Sequence, residues 1–422
     1  MFIAEQIKRT KKIYHDYPSQ FWVVIGAGFI DQVGGALLYP FFALYITRHF
    51  GVGMTQVGLL YMLFSAANVV GNTIGGAVTD YIGRKKVILL GLVISGLTSL
   101  GMGLVDRLPL FYLMGVLAGL FAQAAGPARQ AMLTDILPEK KRAEGFGVMR
   151  VAMNLAVAIG PAMGGLLAAR SYLGLFIADT VSSLITAIIV HYTVQETQPA
   201  REKEADRGGS FMDTFRGYGK VLKDRPFMLF LGIYLVVTLV YIQMQSTLSV
   251  FLRDVHGVPE RGFGFIMALN AAMVVIFQFW ITRRLRGMPS LLMMAGGALL
   301  YGLGFGMYGF VISYPLFLGA MAVITVGEMV IAPVAQSLVS KMAPEHMRGR
   351  YMGVMGYAWM IPGMVGPYLA GMVMDHYDPR LVWYASGILG GVASLGYYWL
   401  YRSSKRAPAA AEKLSNPQPG VL

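Results

Sequence analysis

Cysteine is absent from the 422 residues, which removes disulfides and thiolate metal sites together and leaves the redox compartment unread. Charge is scarce as well: only 14% of residues are Asp, Glu, Lys or Arg, against about 25% in an average soluble domain. No G-x-x-x-x-G-K-[ST] run occurs, so the chain carries no P-loop for a nucleotide. No H-E-x-x-H run occurs either, which excludes an intramembrane zinc protease. Nothing in the residue pattern calls for a metal or an organic cofactor, and none is expected.

Apolar residues fill the space left by charge. They make up 56% of the chain, and the mean hydropathy is +0.57. A helix needs about 20 residues to cross the hydrocarbon core of a bilayer. Runs of that order recur near 20–46, 55–78, 86–105, 109–134, 146–168, 172–194, 226–252, 263–281, 289–310, 314–340, 351–373 and 382–401. These runs are continuous and rich in Leu, Met, Ala and Gly, unlike the alternating segments of roughly 10 residues that build a membrane barrel. The reading is an all-α membrane protein of twelve transmembrane helices. No small-residue cleavage site follows the first run, so it stays as a helix rather than a removed signal.

The net charge of +13 is an orientation signal and not a nucleic-acid footprint. The N-terminus, the even-numbered connections and the C-terminal tail hold 27 of the 35 Lys and Arg, while the odd-numbered connections hold six: Arg48, Arg107, Arg170, Arg253, Arg261 and Arg380. The positive-inside rule then puts both termini in the cytoplasm, and the expected location is the inner (cytoplasmic) cell membrane. The bilayer is the expected surrounding partner, no nucleic acid is expected, and the protein is read as functional as a monomer.

The chain repeats itself. At an offset of 206 residues, 127–165 lies over 333–371 without a gap and with 12 identities in 39 positions. Pro138, Glu139, Arg142 and Gly147 fall on Pro344, Glu345, Arg348 and Gly353, and Gly160, Pro161 and Gly165 on Gly366, Pro367 and Gly371. An even number of spans per copy makes the copies enter the membrane in the same sense, as parallel halves. The expected organisation is a six-helix half over 1–194, a cytoplasmic linker over 195–225, a second six-helix half over 226–402 and a disordered tail over 403–422. Within the linker, Phe211, Phe215, Tyr218 and Leu222 share one helical face, which suits a short helix on the membrane surface.

GGAVTDYIGRKK (75–86) joins the second run to the third. The positive-inside rule accounts for Arg84, Lys85 and Lys86, but not for Gly76, Asp80 and Gly83. Those three, with Arg84, resemble the signature loop of the major facilitator superfamily, G-x-x-x-D-[RK]-x-G-R-[RK], from which the chain departs with Tyr81. AIGPAMGG (158–165), containing Gly160, Pro161, Gly164 and Gly165, is similar to the G-P-x-x-G-G packing element of proton-driven exporters in that superfamily, with Ala156 where a Gly is usual. DQVGGALLYP (31–40) and GEMVIAP (327–333) look like segments of its twelve-span drug/proton antiporters. The Arg usual early in the fourth span is replaced by Gly115, so no role of that Arg carries over. The resemblance implies two-half architecture and alternating access, with Asp80 facing the N-terminus of the eleventh span and Arg84 pairing with Asp135 as a conformational latch.

Charges inside apolar runs are costly, about 2.5–3.5 kcal/mol each on insertion scales. Asp31 and Glu328 stand mid-span, and both are candidate proton-coupling acids, since burial favours the neutral carboxyl and lets a proton exchange as each side wets. Glu328 is the first choice. Asp179 lies several residues into the sixth span without an assigned role, Arg150 reads as snorkelling to the interface, and His191 as interfacial.

The resemblance also puts a substrate cavity between the halves. Its polar lining would include Tyr39, Asn68, Asn154, Gln243 and Gln336, few enough to favour a hydrophobic or amphiphilic small molecule. The 28 Met residues agree with a site of adaptable shape. The function expected is therefore proton-coupled export of hydrophobic or amphiphilic compounds, cations among them, by a non-enzymatic carrier of the multidrug type. A proton-coupled carrier of a sugar or organic acid is the alternative, and a non-transporting receptor or scaffold a remote one.

Overall fold

In the computed structural model, residues 17–197, 219–285 and 287–406 are described, without the side chains of residues 76, 77, 80, 140, 143, 346 and 406. The expected amphipathic face of Phe211, Phe215 and Tyr218, the tail beyond 406, and the side chains of Gly76 and Asp80 lie outside the described residues. Those described are helical almost throughout and contain no strand.

The helices are α1 (Ser19–Leu38), α2 (Phe42–His49), α3 (Met54–Ile82), α4 (Arg84–Leu104), α5 (Leu108–Ile136), α6 (Glu139–Ala168), α7 (Tyr172–Thr193), α8 (Arg225–Ser246), α9 (Leu248–His256), α10 (Glu260–Arg284), α11 (Ser290–Phe310), α12 (Tyr314–Met342), α13 (Arg348–His376) and α14 (Arg380–Arg406). Among the described residues, ten helices are long and apolar enough to cross a membrane. Two more, α13 and α14, have 29 and 27 residues; at about 1.5 Å per residue that length also suffices.

Local sequence sets the helix starts. Ser171 accepts from the Gly174 amide at 3.2 Å to cap α7, and Asp224 accepts from the Phe227 amide at 3.2 Å to cap α8. Pro109, Pro226 and Pro315 occupy the first turns of α5, α8 and α12, where the missing amide proton has no helical partner to lose. The first and seventh sequence runs, read as single spans, are each jointed. A 3-10 turn at Tyr39–Phe41, containing Pro40, separates α1 from α2. Thr247 separates α8 from α9 and bonds the Gln243 carbonyl at 3.1 Å. The two joints are 206 residues apart, at the same place in the repeat.

The chain forms two compact units. The first comprises 1–45 and 63–204, the second 46–62 and 205–422. In the first unit α4 packs on α5 and α7, and α1 on α6 and α7. In the second, α11 packs on α12 and α14, and α8 on α13 and α14. Each pairing of the first unit recurs at its repeat equivalent. Gly160 of α6 sits so close to Ala36 of α1 that an added Cβ would lie 2.4 Å from the Ala36 Cβ, and Gly366 of α13 would likewise meet Ile242 of α8 at 2.9 Å. Ala36 and Ile242 are themselves 206 residues apart.

Small residues carry the tightest seam. A Cβ on Gly390 of α14 would fall 2.4 Å from the Gly302 Cα of α11, and one on Gly387 would fall 3.2 Å from the Gly306 Cα. Two backbones therefore meet with nothing between them, as in membrane helix pairs where water gives no driving force and van der Waals contact must supply it. Around this seam Trp383, Tyr308 and Phe305 are fully buried.

Candidate functional site

In the second unit, three helices meet at Glu328, the midpoint of α12 and five residues before Pro333. The Tyr241 hydroxyl of α8 donates to Oε1 at 3.0 Å. The Asn270 amide of α10 donates to Oε2 at 2.8 Å and to the Thr325 hydroxyl at 3.0 Å. Among the described residues no base accompanies them, and these neutral donors are the hydrogen-bond partners the structure gives the acid.

An aromatic wall closes round the carboxyl. Tyr234, Val237, Thr238, Tyr241, Tyr301, Glu328, Ile331, Ala332 and Trp359 line one cavity of about 40 Å³. Tyr241 meets Trp359 edge-on at 5.5 Å and stacks on Tyr301 at 5.8 Å, and the Trp359 indole donates to the Tyr234 hydroxyl at 3.1 Å. A water needs about 10–15 Å³ of such space, whereas ligand pockets run to several hundred. The cavity thus admits a few waters and no drug-sized molecule. In this arrangement Glu328 can exchange a proton with water but has no room to bind a bulky substrate.

Asp31 of α1 is held differently. One carboxylate oxygen accepts from Ser183 of α7 at 2.9 Å, and the other pairs with Arg129 of α5 at 3.1 Å. Nothing read from the sequence pointed to Arg129 as this partner. The pair is 98 residues apart in the chain, and the one available clue was the coincidence of a lone acid and a lone base in apolar runs.

At the loop that opens α4, Gly83 takes φ +103°, a conformation closed to other residues without strain. Buried Arg84 brings its Nε to 2.9 Å from Asp135, so the structure brings together the Arg84–Asp135 pair expected of the latch. No motif announced the segment that follows α7. Glu196 accepts from the Arg84 and Lys85 amides at 3.0 and 3.1 Å, filling the cap position that Gly83 leaves without a side chain, and the Thr197 hydroxyl donates to Asp135 at 3.1 Å.

In the packing element, Gly160, Pro161, Gly164 and Gly165 are all buried, and a Cβ at Gly164 would lie 2.4 Å from the Leu37 carbonyl oxygen. Of the residues expected along a cavity, Asn154 and Gln336 are exposed, Tyr39 is 37% exposed and Asn68 is half-buried. Gln243 is buried; it donates to the Leu239 carbonyl and accepts from Thr247 within its own helix segment. Arg150 and His191 are exposed, and the His191 carbonyl accepts from Lys85.

Bundled apolar helices in two like-built units, with acids and hydrogen-bond donors set inside them, describe a carrier that passes small solutes through a membrane. The Major Facilitator Superfamily profile matches residues 24–367 and 293–420, and the chain belongs to that family: it is a multi-pass membrane transporter of small molecules. It is 28% identical to a Na+, Li+, K+/H+ antiporter of Planococcus maritimus, over 86% of this chain and 92% of that one. It is 24% identical to the class B tetracycline resistance protein of Escherichia coli, over 84% and 86%. The fold matches the crystal structure of a POT family transporter bound to a thioalcohol-conjugated peptide, with a TM-score of 0.76, 14% identity and coverage of 92% and 96%.

Proposed function

We propose that the protein is a proton-coupled exporter of hydrophobic or amphiphilic compounds, cations among them, in the inner cell membrane, working as a monomer with both termini in the cytoplasm. The observation that carries this reading is Glu328. An acid inside an apolar bundle, bonded among the described residues by the neutral donors Tyr241 and Asn270 and opening on a cavity with room for water, has the features of a group that takes up and releases a proton. Arg84–Asp135 and the Asp80 loop supply the latch of the alternating cycle, and the duplicated packing supplies two bodies that move against each other. The orientation follows from the distribution of Lys and Arg.

Energetically one proton suffices. Moving a unit charge through about 100 mV releases about 2.3 kcal/mol, which sustains roughly a fifty-fold gradient of a neutral solute, since 1.4 kcal/mol is tenfold.

A second reading, exchange of monovalent metal cations for protons, is favoured by the name of the Planococcus relative. Proteoliposomes with an internal pH dye separate the two. Ethidium or tetraphenylphosphonium should provoke proton movement if the first reading holds, and NaCl, KCl or LiCl if the second does. In either case Glu328→Gln should abolish the signal in folded protein. A wild-type protein that moves ethidium equally well with and without an imposed pH gradient would rule out proton coupling.

A further inference from the structure

Asp179 is the second acid of the first unit, and its surroundings differ from those of Asp31. It lies seven residues into α7, about 10 Å along the helix, and four residues before Ser183, so that both point to the same face. That face is pressed on α1 at Gly34 and Gly35: a Cβ on Gly34 would lie 3.1 Å from the Asp179 Cα, and one on Gly35 4.0 Å from its Oδ1. The glycine pair is what allows a carboxyl to sit between the two helices.

The charged groups around it are few. From α1 comes Asp31, one turn before the glycine pair and bonded to Ser183, itself one turn after Asp179, and from α5 comes Arg129, committed to Asp31 at 3.1 Å. From α4 comes Ser99, 2% exposed, with no hydrogen bond of standard geometry and its hydroxyl facing the Asp179 carboxyl. The acids and bases of α4 are confined to its first turn, at Arg84, Lys85 and Lys86. On α6 the nearest titratable residue is Arg150, 18 residues before the helix end that adjoins α7. No base pairs with Asp179 among the described residues. The cluster of two acids and one base is therefore neutral only when one acid holds a proton. Asp31 has its charge matched by the Arg129 guanidinium and accepts from Ser183; Asp179 has no cation beside it among the described residues.

We propose that Asp179, rather than Asp31, is the proton-carrying acid of the first unit, with Asp31 as the ionised partner that keeps Arg129 in place and holds the proton on its neighbour. The assignment rests on the proton-coupled reading above and adds a second exchange point to Glu328. Ser99 serves both states, accepting from the protonated carboxyl and donating to the ionised one. Any motion that draws Arg129 from Asp31 toward Asp179 expels the proton, because a cation then compensates the second carboxylate.

The test is spectroscopic and needs no substrate. Infrared difference spectra of purified wild-type protein, recorded between two pH values, should show the C=O stretch of protonated carboxyl groups. Asp179→Asn should delete one component of that band, leaving the Glu328 component, which Glu328→Gln removes. Asp31→Asn should keep the Asp179 component and move its titration at least about one pH unit toward acid, since a negative neighbour is gone and Arg129 is released. A band unchanged by Asp179→Asn, or absent from the wild type, overturns the assignment; if Asp179→Asn does not fold, an unshifted band in Asp31→Asn does so. Proteoliposomes then distinguish the two proposals. A coupled wild type beside an Asp179→Asn variant with gradient-driven ethidium transport reduced at least tenfold supports both. Equal coupling in the two sinks the Asp179 assignment alone, and an uncoupled wild type with the spectral result intact sinks only the transport reading.

Discussion

Separating Asp31 from Arg129 tests whether this pair is an electrostatic unit or two neighbours. Their side chains are 21% and 24% exposed and their charged atoms 3.1 Å apart. At an effective dielectric near 20, charges about 4 Å apart attract by about 4 kcal/mol, and removal from water offsets a good part of that. Asp31→Asn leaves Arg129 half-buried with no anion, and Arg129→Gln leaves Asp31 with Ser183 alone. Each single variant should lose about 2–4 kcal/mol, near the lower end of what stranding one member of a buried pair costs. The double variant should lose much less than the sum, with a coupling energy of about 2 kcal/mol. Equilibrium unfolding in detergent mixtures, followed by tryptophan fluorescence, gives all four corners of the cycle. Additivity to within about 0.5 kcal/mol, the behaviour of independent sites, would refute the claim that the two charges compensate each other.

Other outcomes follow from the geometry already described. Gly390→Leu forces a side chain into the Gly302 backbone and should destabilise by at least about 1–3 kcal/mol, read as lower recovery and melting temperature than Gly391→Leu, where a Cβ meets nothing within 4 Å. Glu196→Ala strips the cap from α4 and should cost about 1 kcal/mol, detectable as faster hydrogen exchange of the Arg84 and Lys85 amides while α11 is unaffected. His256, packed between Phe251 and Phe317, has its pKa lowered, first by burial and then by the charge of Arg380. The unfolded chain therefore binds the proton more readily, and the stability present above the ordinary histidine pKa of about 6.5 is lost as pH falls through the folded value. His256→Phe should flatten the decline in melting temperature between pH 7 and pH 5, and an unchanged decline would assign the acid sensitivity elsewhere.

The scaffold was legible in the sequence because membrane physics leaves few choices. Continuous apolar runs can only be helices, and the 206-residue offset located equivalent contacts down to Ala36 and Ile242. The chemistry was legible only in part, because the same offset places Asp31 over Val237, Glu328 over Ala122, Asp179 over Ala385 and Tyr241 over Gly35. Duplication conserved the packing positions and let the polar ones diverge, so one half says nothing about the partners of the other. Glu328 stood out as an isolated acid, but Tyr241, Asn270 and Trp359 lie on three other helices, and no local spacing connects them. The joints were half visible. Pro40 marks one, while Thr247 marks the other only by a hydroxyl bonded to the carbonyl one turn back, as Thr98 and Thr180 also have inside unbroken helices.

The glycine seam of α11 and α14 has a mechanical corollary. Where side chains interdigitate, a helix can yield by changing rotamers, but at Gly302, Gly306, Gly387 and Gly390 there are none to turn. The contact is main chain on main chain, so displacement there means either outright separation or none. The two helices behave as a welded girder, and whatever bending the carrier performs is left to elements that keep compressible side chains or prolines, such as α12 and α13.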